Sequence, residues 1–199
     1  AYAEVRNIPA HRLLKLPDAV AFNTGAAMML QGLTAAYLLR RTYAVQPGDA
    51  VLIHAAAGGV GLVACQWARA IGALVIGTVG SDAKAEIARA HGCHHVINYS
   101  RENFTEQVRA ITGGAGVNVV YDGVGKDTFT GSLDSLRPMG MMVSYGNASG
   151  PVPPIDLLQL SQRGSLFITR PSLMHYTAKR DDLVALGLDR EAAWRHAAN

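Results

Sequence analysis

The feature that most constrains the fold is a regular alternation of short apolar runs with helical segments. Runs rich in β-branched residues occupy 50–55, 74–79, 95–99, 117–122, 141–146 and 165–170. Helical patterns lie between them at about 60–71, 82–91, 102–112 and 126–136, separated by Gly, Asp, Ser or Pro. Strict alternation implies crossover connections and a parallel sheet with helices on both faces. The sequence therefore predicts an α/β fold, a Rossmann-type doubly wound six-stranded parallel sheet.

A glycine-rich turn joins the first predicted strand to the helix that follows. The stretch "HAAAGGVGLVACQWARAIGA" (54–73) aligns with G-x-G-x-x-G, except that Ala56 stands at the first position. Glycines there let the backbone approach a pyrophosphate and let the helix pack closely on the strand. Because a strand precedes the turn and a helix follows it, we predict a dinucleotide site; a turn that only packs is the alternative. The predicted site residues in the turn are Gly58, Gly59, Val60 and Gly61.

The end of the second predicted strand bears on the choice of cofactor. NAD-dependent proteins have a carboxylate here that binds the ribose hydroxyls. This chain has the neutral residues Thr78, Val79, Gly80 and Ser81, followed by Lys84. Neutral donors and an ammonium suit a 2′-phosphate, so the sequence predicts NADPH rather than NADH, although Lys84 is alternatively a solvated surface lysine. Asp82 opposes this assignment, unless it serves as the cap or first-turn acid of the next helix.

Two further strands end in glycine-rich loops, "VVYDGVG" (119–125) and "VSYGNASG" (143–150). Ligands of open α/β sheets bind along this carboxyl edge. Tyr99 and Tyr145 end strands there, so each is a candidate for contact with the adenine or the nicotinamide, with core packing as the alternative. Asp122 precedes a glycine turn, where a carboxylate more often caps backbone amides than acts as a general base.

Composition argues against several classes of function. The 199 residues carry a formal net charge of +3 with scattered basic residues, which gives little support to nucleic-acid binding. The apolar runs are shorter than the ~18 residues of a membrane span, and the N-terminus lacks a signal-peptide profile. We therefore expect a cytoplasmic chain with no membrane partner.

The two cysteines are too few for a four-thiolate zinc site. Cys65 lies within a predicted helix, where a small buried hydrophobic residue is expected. Cys93 stands among histidines in "HGCHHV" (91–96), but consecutive side chains diverge and do not converge on one metal ion. We expect a turn between helix and strand there, and no metal site.

Taken together, these segments resemble the zeta-crystallin-like quinone oxidoreductases, zinc-independent members of the medium-chain dehydrogenase/reductase superfamily. The resemblance runs from residue 1 to about residue 182 and is carried by "GLTAAYLLRRTY", "HAAAGGVGLVACQWARAIGALVIGTVG", "VINY", "VVYDGVGKDTF" and "GSLFITRPSL". It implies NADPH-dependent reduction of a quinone by a homodimer whose sixth strands, here about 165–170, pair across a two-fold axis. Two alternatives are an enoyl or alkenal reductase of the same superfamily and a non-catalytic NADPH-binding protein.

The resemblance also implies cofactor contacts by matching position. Gly59 and Val60 would hold the pyrophosphate, and Thr34 and Tyr37 would lie near the nicotinamide. The adenosine phosphate would be bound by Gly80, Ser81, Lys84 and Tyr99. The nicotinamide ribose would be bordered by Val124, Tyr145, Gly146 and Asn147, with Pro171 and Ser172 at the end of the sixth strand. No catalytic residue is assigned, because hydride transfer from a nicotinamide needs no protein nucleophile. Gly123 is a departure, since relatives often have serine there.

Domain boundaries follow from the same resemblance. Relatives begin with a barrel-like, GroES-like catalytic domain and return to it at the C-terminus. Residues 1–22 are expected to be a remnant of that domain, residues 23–182 an NADP-binding Rossmann domain, and residues 183–199 a truncated or divergent tail. We therefore expect this chain to hold the cofactor-binding half of an enzyme.

Overall fold

A six-stranded parallel sheet forms the centre of the computed structural model, which describes residues 3–188. The strands are β1 (Ala50–Ile53), β2 (Leu74–Val79), β3 (His95–Asn98), β4 (Val117–Asp122), β5 (Leu136–Ser144) and β6 (Phe167–Thr169). Their order across the sheet is β3-β2-β1-β4-β5-β6, and every neighbouring pair is parallel. The strand order reverses between β1 and β4, so the predicted doubly wound Rossmann arrangement is confirmed.

Helices cover both faces of this sheet. They are α1 (Phe22–Tyr37), α2 (Gly59–Ile71), α3 (Asp82–Ala90), α4 (Phe104–Ile111), α5 (Phe129–Ser135), α6 (Leu158–Gln162), α7 (Leu173–Tyr176) and α8 (Arg180–Leu188). A π-helical turn, Leu38–Thr42, continues α1, and a single 3₁₀ turn covers Ala10–Arg12. Within residues 3–188, no helix combines the length and the apolar character needed to cross a lipid bilayer.

Successive residues of the central strands are buried on opposite faces of the sheet. In β1, Val51 and Ile53 belong to the apolar layer beneath α1 and α2, whereas Leu52 belongs to the layer beneath α4 and α5. All three side chains are fully buried. Burial on both faces explains why the strands read as nearly continuous apolar runs.

Strand β5 begins earlier than the sequence predicts. The pattern favours a helix as far as 136 and a strand only from 141, whereas β5 already starts at Leu136. Leu136 pairs with Val117, and the register then shifts before regular pairing resumes. Met139 has a positive φ of 58° in this stretch, so the early part of β5 is an irregular, bulged extension of the ladder.

The ends of the described chain pack on one another. Arg180, at the start of α8, donates hydrogen bonds to the carbonyl oxygens of His11 and Leu13. Leu183 and Leu186 of the same helix are buried in the core. Helix α8 therefore crosses the expected boundary between residues 182 and 183, and the domain limits stay predictions. Most of the expected tail, residues 189–199, lies outside the described residues.

Candidate functional site

Helix α2 presents its N-terminus at the carboxyl edge of the sheet. Gly58 is the N-cap residue, and its N–H donates to the Ala55 carbonyl oxygen at 2.8 Å. In the described part of the chain, no side chain caps the helix at Gly58, and its first turn holds no acidic residue. The first-turn N–H groups have no intrahelical partner, and the helix dipole adds positive charge there. This end of α2 is therefore suited to a phosphate group.

The glycines of the turn serve two different purposes. A Cβ at Gly61 would collide with the carbonyl oxygen of Ala55 and would lie 2.8 Å from the Cα of Ala56. A Cβ at Gly59 would instead meet the flexible side chain of Gln31, 2.9 Å from its Cγ. Gly61 therefore allows α2 to pack on the turn, whereas Gly59 is exposed at the surface that a ligand would approach.

The adenosine end of the predicted site lies at the start of α3. Ser81 caps this helix, with its Oγ accepting from the Lys84 N–H at 3.4 Å. Asp82 accepts a hydrogen bond from Asn98 Nδ2 at 2.7 Å and forms an ion pair with Arg101 at 2.8 Å. Asp82 therefore occupies the predicted first-turn position of α3. Its carboxylate is bound to one residue at the end of β3 and to another just beyond it. Lys84 is exposed and forms no ion pair within residues 3–188.

Tyr99 covers the glycine at the end of the second strand. A Cβ at Gly80 would lie 2.8 Å from the Tyr99 hydroxyl oxygen, so glycine lets the ring lie against the backbone. Tyr99 is 45% exposed, so part of its surface is free to contact an adenine or ribose. Ser100 donates to the Gly80 carbonyl oxygen at 3.0 Å and fixes this corner.

A cleft of about 440 Å³ opens beside the N-terminus of α2. Six of the predicted contact residues line it: Thr34, Tyr37, Val60, Tyr145, Pro171 and Ser172. Leu30, Arg170 and Leu173 complete the lining. The fold therefore brings together residues from α1, α2, the end of β5 and the segment after β6 that are far apart in the sequence.

Two tyrosines in the cleft have raised pKa values. Tyr37 stacks on Tyr176 with ring centroids 4.6 Å apart. Burial is the main cause that raises the pKa of Tyr37 to about 12; Tyr176 adds to the shift and Arg170 opposes it. Burial likewise raises the pKa of Tyr145, and Asp122 contributes in the same direction. Both phenols are therefore protonated at neutral pH and can donate a hydrogen bond.

Asp122 organises the loop after β4. One carboxylate oxygen accepts from the backbone N–H groups of Val124 at 2.8 Å and Gly125 at 2.9 Å. The other accepts from the hydroxyls of Thr128 at 2.7 Å and Ser132 at 2.9 Å. The side chain is fully buried and its acceptor positions are occupied, which is the capping role predicted and not that of a general base.

The glycine that departs from the resemblance also has a packing role. A Cβ at Gly123 would lie 3.0 Å from the ring and hydroxyl of Tyr145. Glycine therefore lets Tyr145 lie against the loop, where a serine side chain would require the ring to move. A Cβ at the predicted residue Gly146 would collide with the carbonyl oxygen of Gly123 and would lie 2.8 Å from its Cα.

A buried histidine extends this polar network and was not predicted as part of it. His54 is fully buried, with Nδ1 2.8 Å from Thr78 Oγ1 and Nε2 2.9 Å from Ser132 Oγ. Since Ser132 donates to Asp122, its oxygen accepts from Nε2–H, and Thr78 donates to Nδ1. Burial lowers the pKa of His54, and Asp122 opposes the shift, so the imidazole is neutral.

Asn147 faces a second cavity and not the first cleft. This neighbouring space has a volume of about 450 Å³ and also includes Val152, Ile155 and Arg170 in its lining. Arg170 borders both spaces and donates from Nη1 to Ser144 Oγ at 3.0 Å and to the Gly146 carbonyl oxygen at 2.9 Å. Arg170 was not predicted from the sequence as a site residue, although ligands of open α/β sheets bind at the carboxyl ends of strands and Arg170 directly follows the sixth strand.

Comparisons with known proteins agree with this geometry. The profile of a family described as zinc-binding dehydrogenase matches residues 59–183. The chain belongs to this dehydrogenase family. A quinone oxidoreductase of Salmonella typhimurium is 56% identical over 183 residues, which cover 92% of this chain and 56% of that protein. A 2-haloacrylate reductase of a Burkholderia species is 55% identical over 186 residues, with the same two coverages.

A solved structure extends the likeness to three dimensions. The Escherichia coli quinone oxidoreductase complexed with NADPH superposes with a TM-score of 0.92 at 50% identity, covering 94% of this chain and 58% of that chain. The resemblance to quinone oxidoreductases is thereby confirmed. The chain spans about half the length of the relatives that it matches.

Zinc is the one cofactor that the family description names. Among residues 3–188, no group of three or more His, Cys, Asp or Glu side chains gathers in an arrangement that could hold a metal ion. The described residues therefore do not fit a zinc site.

Proposed function

We propose that this chain is the NADPH-binding domain of a quinone oxidoreductase. The observation that carries the proposal is the cleft beside α2, where six residues predicted from the sequence converge at the carboxyl edge of the sheet. The homologous quinone oxidoreductases, one of them a complex with NADPH, support the same function.

The residues of the chain fit the parts of a dinucleotide phosphate. The uncapped first turn of α2, from Gly58 to Gly61, would bind the pyrophosphate through backbone N–H groups. At the adenosine end, the exposed ammonium of Lys84 and the cap residue Ser81 would bind the 2′-phosphate, with Gly80 and Tyr99 beside the adenosine. Asp82 is bound to Asn98 and Arg101, so its charge is partly neutralised near that phosphate.

The cleft at the other end would hold the nicotinamide and its ribose. Thr34, Tyr37, Tyr145, Pro171 and Ser172 line this cleft and are proposed to contact the nicotinamide. Val124, Gly146 and Asn147 are proposed to lie beside the nicotinamide ribose, with Asn147 at the border of the second cavity. When bound, NADPH supplies a hydride, and no protein nucleophile is needed. Tyr37 and Tyr145 keep their phenol protons at neutral pH and can orient a polar group in the cleft. Asp122 positions the loop at Val124.

The substrate of the whole protein is also a proposal. A quinone is favoured by the homologous quinone oxidoreductases. A conjugated carbonyl substrate, the alternative from the sequence, is supported by the similarity to the 2-haloacrylate reductase. Steady-state rates with a quinone and with an acrylate, measured on a full-length protein containing this chain, would distinguish the two.

We further propose that the chain pairs with a second copy through β6. This strand forms one edge of the sheet, and its residues Phe167 and Ile168 are 57% and 37% exposed. An edge with unpaired backbone groups and apolar side chains is suited to strand pairing. The cytoplasmic location expected from the sequence stays a prediction.

Fluorescence titration of the 199-residue chain with NADPH and with NADH tests the proposed function. We expect binding of both, with a preference for NADPH that falls by about tenfold or more in Lys84→Ala, the usual effect of removing a charged hydrogen bond. Arg89→Ala is the matched control, because it removes a positive charge from the last turn of the same helix. Failure of wild type to bind NADPH, or equal loss in both variants, would contradict the proposal.

A further inference from the structure

Two thiols outside the proposed cofactor site lie side by side in the core. Cys65 is on α2 and Cys93 lies in the turn before β3, and their Sγ atoms are 3.3 Å apart. Both are free and buried, with 0% and 4% exposure. They are the 2 cysteines of the whole sequence. Every thiol of the chain is therefore in direct contact with another.

The backbones that carry these thiols also lie in contact. A Cβ at Gly92 would be 2.9 Å from the carbonyl oxygen of Cys65 and 3.0 Å from the Cα of Gln66. Gly92 has a φ of 102°, so glycine permits both the turn and the close approach. A disulfide needs sulfurs about 2.05 Å apart and Cα atoms within about 7 Å. The sulfurs would have to approach by roughly 1.3 Å to form this bond.

The two thiols differ in acidity and in distance from the surface. The hydrogen bond with Cys65 lowers the pKa of Cys93, although burial opposes the shift. The same hydrogen bond, together with burial, raises the pKa of Cys65. Cys93 also precedes the exposed residue His94 in a surface turn. Because the thiolate is the nucleophile, Cys93 is the sulfur expected to react first.

We propose that Cys65 and Cys93 form an oxidative modification site, which a small hydroperoxide converts into an intramolecular disulfide. The Cys93 thiolate attacks one oxygen of hydrogen peroxide and breaks the O–O bond, which yields a sulfenic acid on Cys93 and a hydroxide that becomes water. The Cys65 sulfur then attacks the Cys93 sulfur. The S–S bond forms, the S–O bond breaks, and the hydroxide leaves with the proton of Cys65 as a second water. The two sulfurs lose the electron pair that the peroxide gains.

The site selects its oxidant by size and links two parts of the fold. Both sulfurs are buried, so a water-sized peroxide reaches them more readily than a bulky disulfide such as oxidised glutathione. The disulfide would join α2, which follows the glycine turn, to the segment that leads into β3. The proposal does not depend on NADPH binding, so it and the proposed function can fail separately.

Mass spectrometry of the peroxide-treated chain tests this site. The reduced 199-residue chain is exposed to hydrogen peroxide and then denatured with an excess of iodoacetamide. We expect loss of both alkylatable thiols, a mass decrease of about 2 Da, a peptide that joins Cys65 to Cys93, and reversal by dithiothreitol. Cys93→Ala, the matched control, is expected to keep Cys65 alkylatable at the same peroxide dose.

Any of three results with the wild-type chain would overturn the proposal. They are two alkylatable thiols in wild type after a dose that fully oxidises free N-acetylcysteine, a gain of about 16 Da per oxygen added without a cross-link, and disulfides only between separate chains. Equal loss of the Cys65 thiol in Cys93→Ala would also contradict it, because Cys65 would then react without its partner.

Discussion

Replacement of Gly61 by alanine tests how α2 is held at the edge of the sheet. The added methyl group would collide with the carbonyl oxygen of Ala55 and lie 2.8 Å from two backbone atoms of Ala56. These are backbone atoms, so the clash is relieved only if α2 moves away from the turn. Overpacking of this severity costs about 3 kcal/mol, whereas Gly→Ala within a helix contributes about 1 kcal/mol in favour of folding. We expect a net loss of about 2 kcal/mol.

Thermal unfolding followed by circular dichroism measures this loss. For a chain of this size, about 2 kcal/mol corresponds to a fall in Tm of about 4–8 °C. Gly59→Ala is the matched control, because it places the same methyl group in the same turn. There the methyl group would meet the side chain of Gln31, 2.9 Å from its Cγ, and that chain can rotate away. We expect its Tm to stay within about 2 °C of wild type.

The two variants also differ in what they do to the cofactor site. Gly59→Ala is expected to weaken NADPH binding while leaving Tm nearly unchanged, because the methyl group lies on the exposed side of the turn. Gly61→Ala is expected to lower both quantities, since it displaces the helix that bears the N–H groups. A Tm of Gly61→Ala equal to that of wild type, or an equal fall in Gly59→Ala, would refute the packing described for α2.

Three further outcomes are expected. The free energy of unfolding is expected to fall as the pH drops below about 6.5, because burial lowers the pKa of His54 and the unfolded chain therefore binds a proton at a higher pH than the folded chain. His54 contributes at most about 1.4 kcal/mol per pH unit to this fall. Urea titrations at several pH values measure the dependence of the unfolding free energy on pH, which should be weaker in His54→Asn than in wild type. Asp122→Ala is expected to lower the free energy of unfolding by about 3 kcal/mol or more and to weaken NADPH binding, because the N–H groups of Val124 and Gly125 lose their acceptor. Denaturation and NADPH titration curves that match those of wild type would contradict this. Phe167→Asp converts the proposed dimer to monomers in analytical ultracentrifugation, and an unchanged sedimentation coefficient would count against pairing through β6.

Much of the sheet is predictable because its strands are buried on both faces. Strand β4 is buried at every position except the half-buried Asn118, and its limits coincide with those of the run rich in β-branched residues at 117–122. The start of β5 is not marked in this way, since Leu136 pairs through a bulge that pattern alone does not reveal. Periodicity locates regular ladders better than irregular ones.

The candidate site is predictable where its residues act locally. Asp122 caps N–H groups only two and three residues away, so a short sequence pattern suffices. The first-turn place of Asp82 is local in the same way, although the cap of that helix is Ser81. The bond between His54 and Ser132 joins residues 78 positions apart. It exists because β1 pairs with β4 and α5 packs behind them, a juxtaposition that only the folded chain provides.

A crystal structure of the chain grown with NADPH tests the central claim most directly. We expect the pyrophosphate at the first turn of α2, the 2′-phosphate beside Lys84, and the nicotinamide in the cleft between Tyr37 and Tyr145. A dinucleotide bound elsewhere, such as the second cavity beside Val152, or a 2′-phosphate that points away from Lys84, would contradict the account.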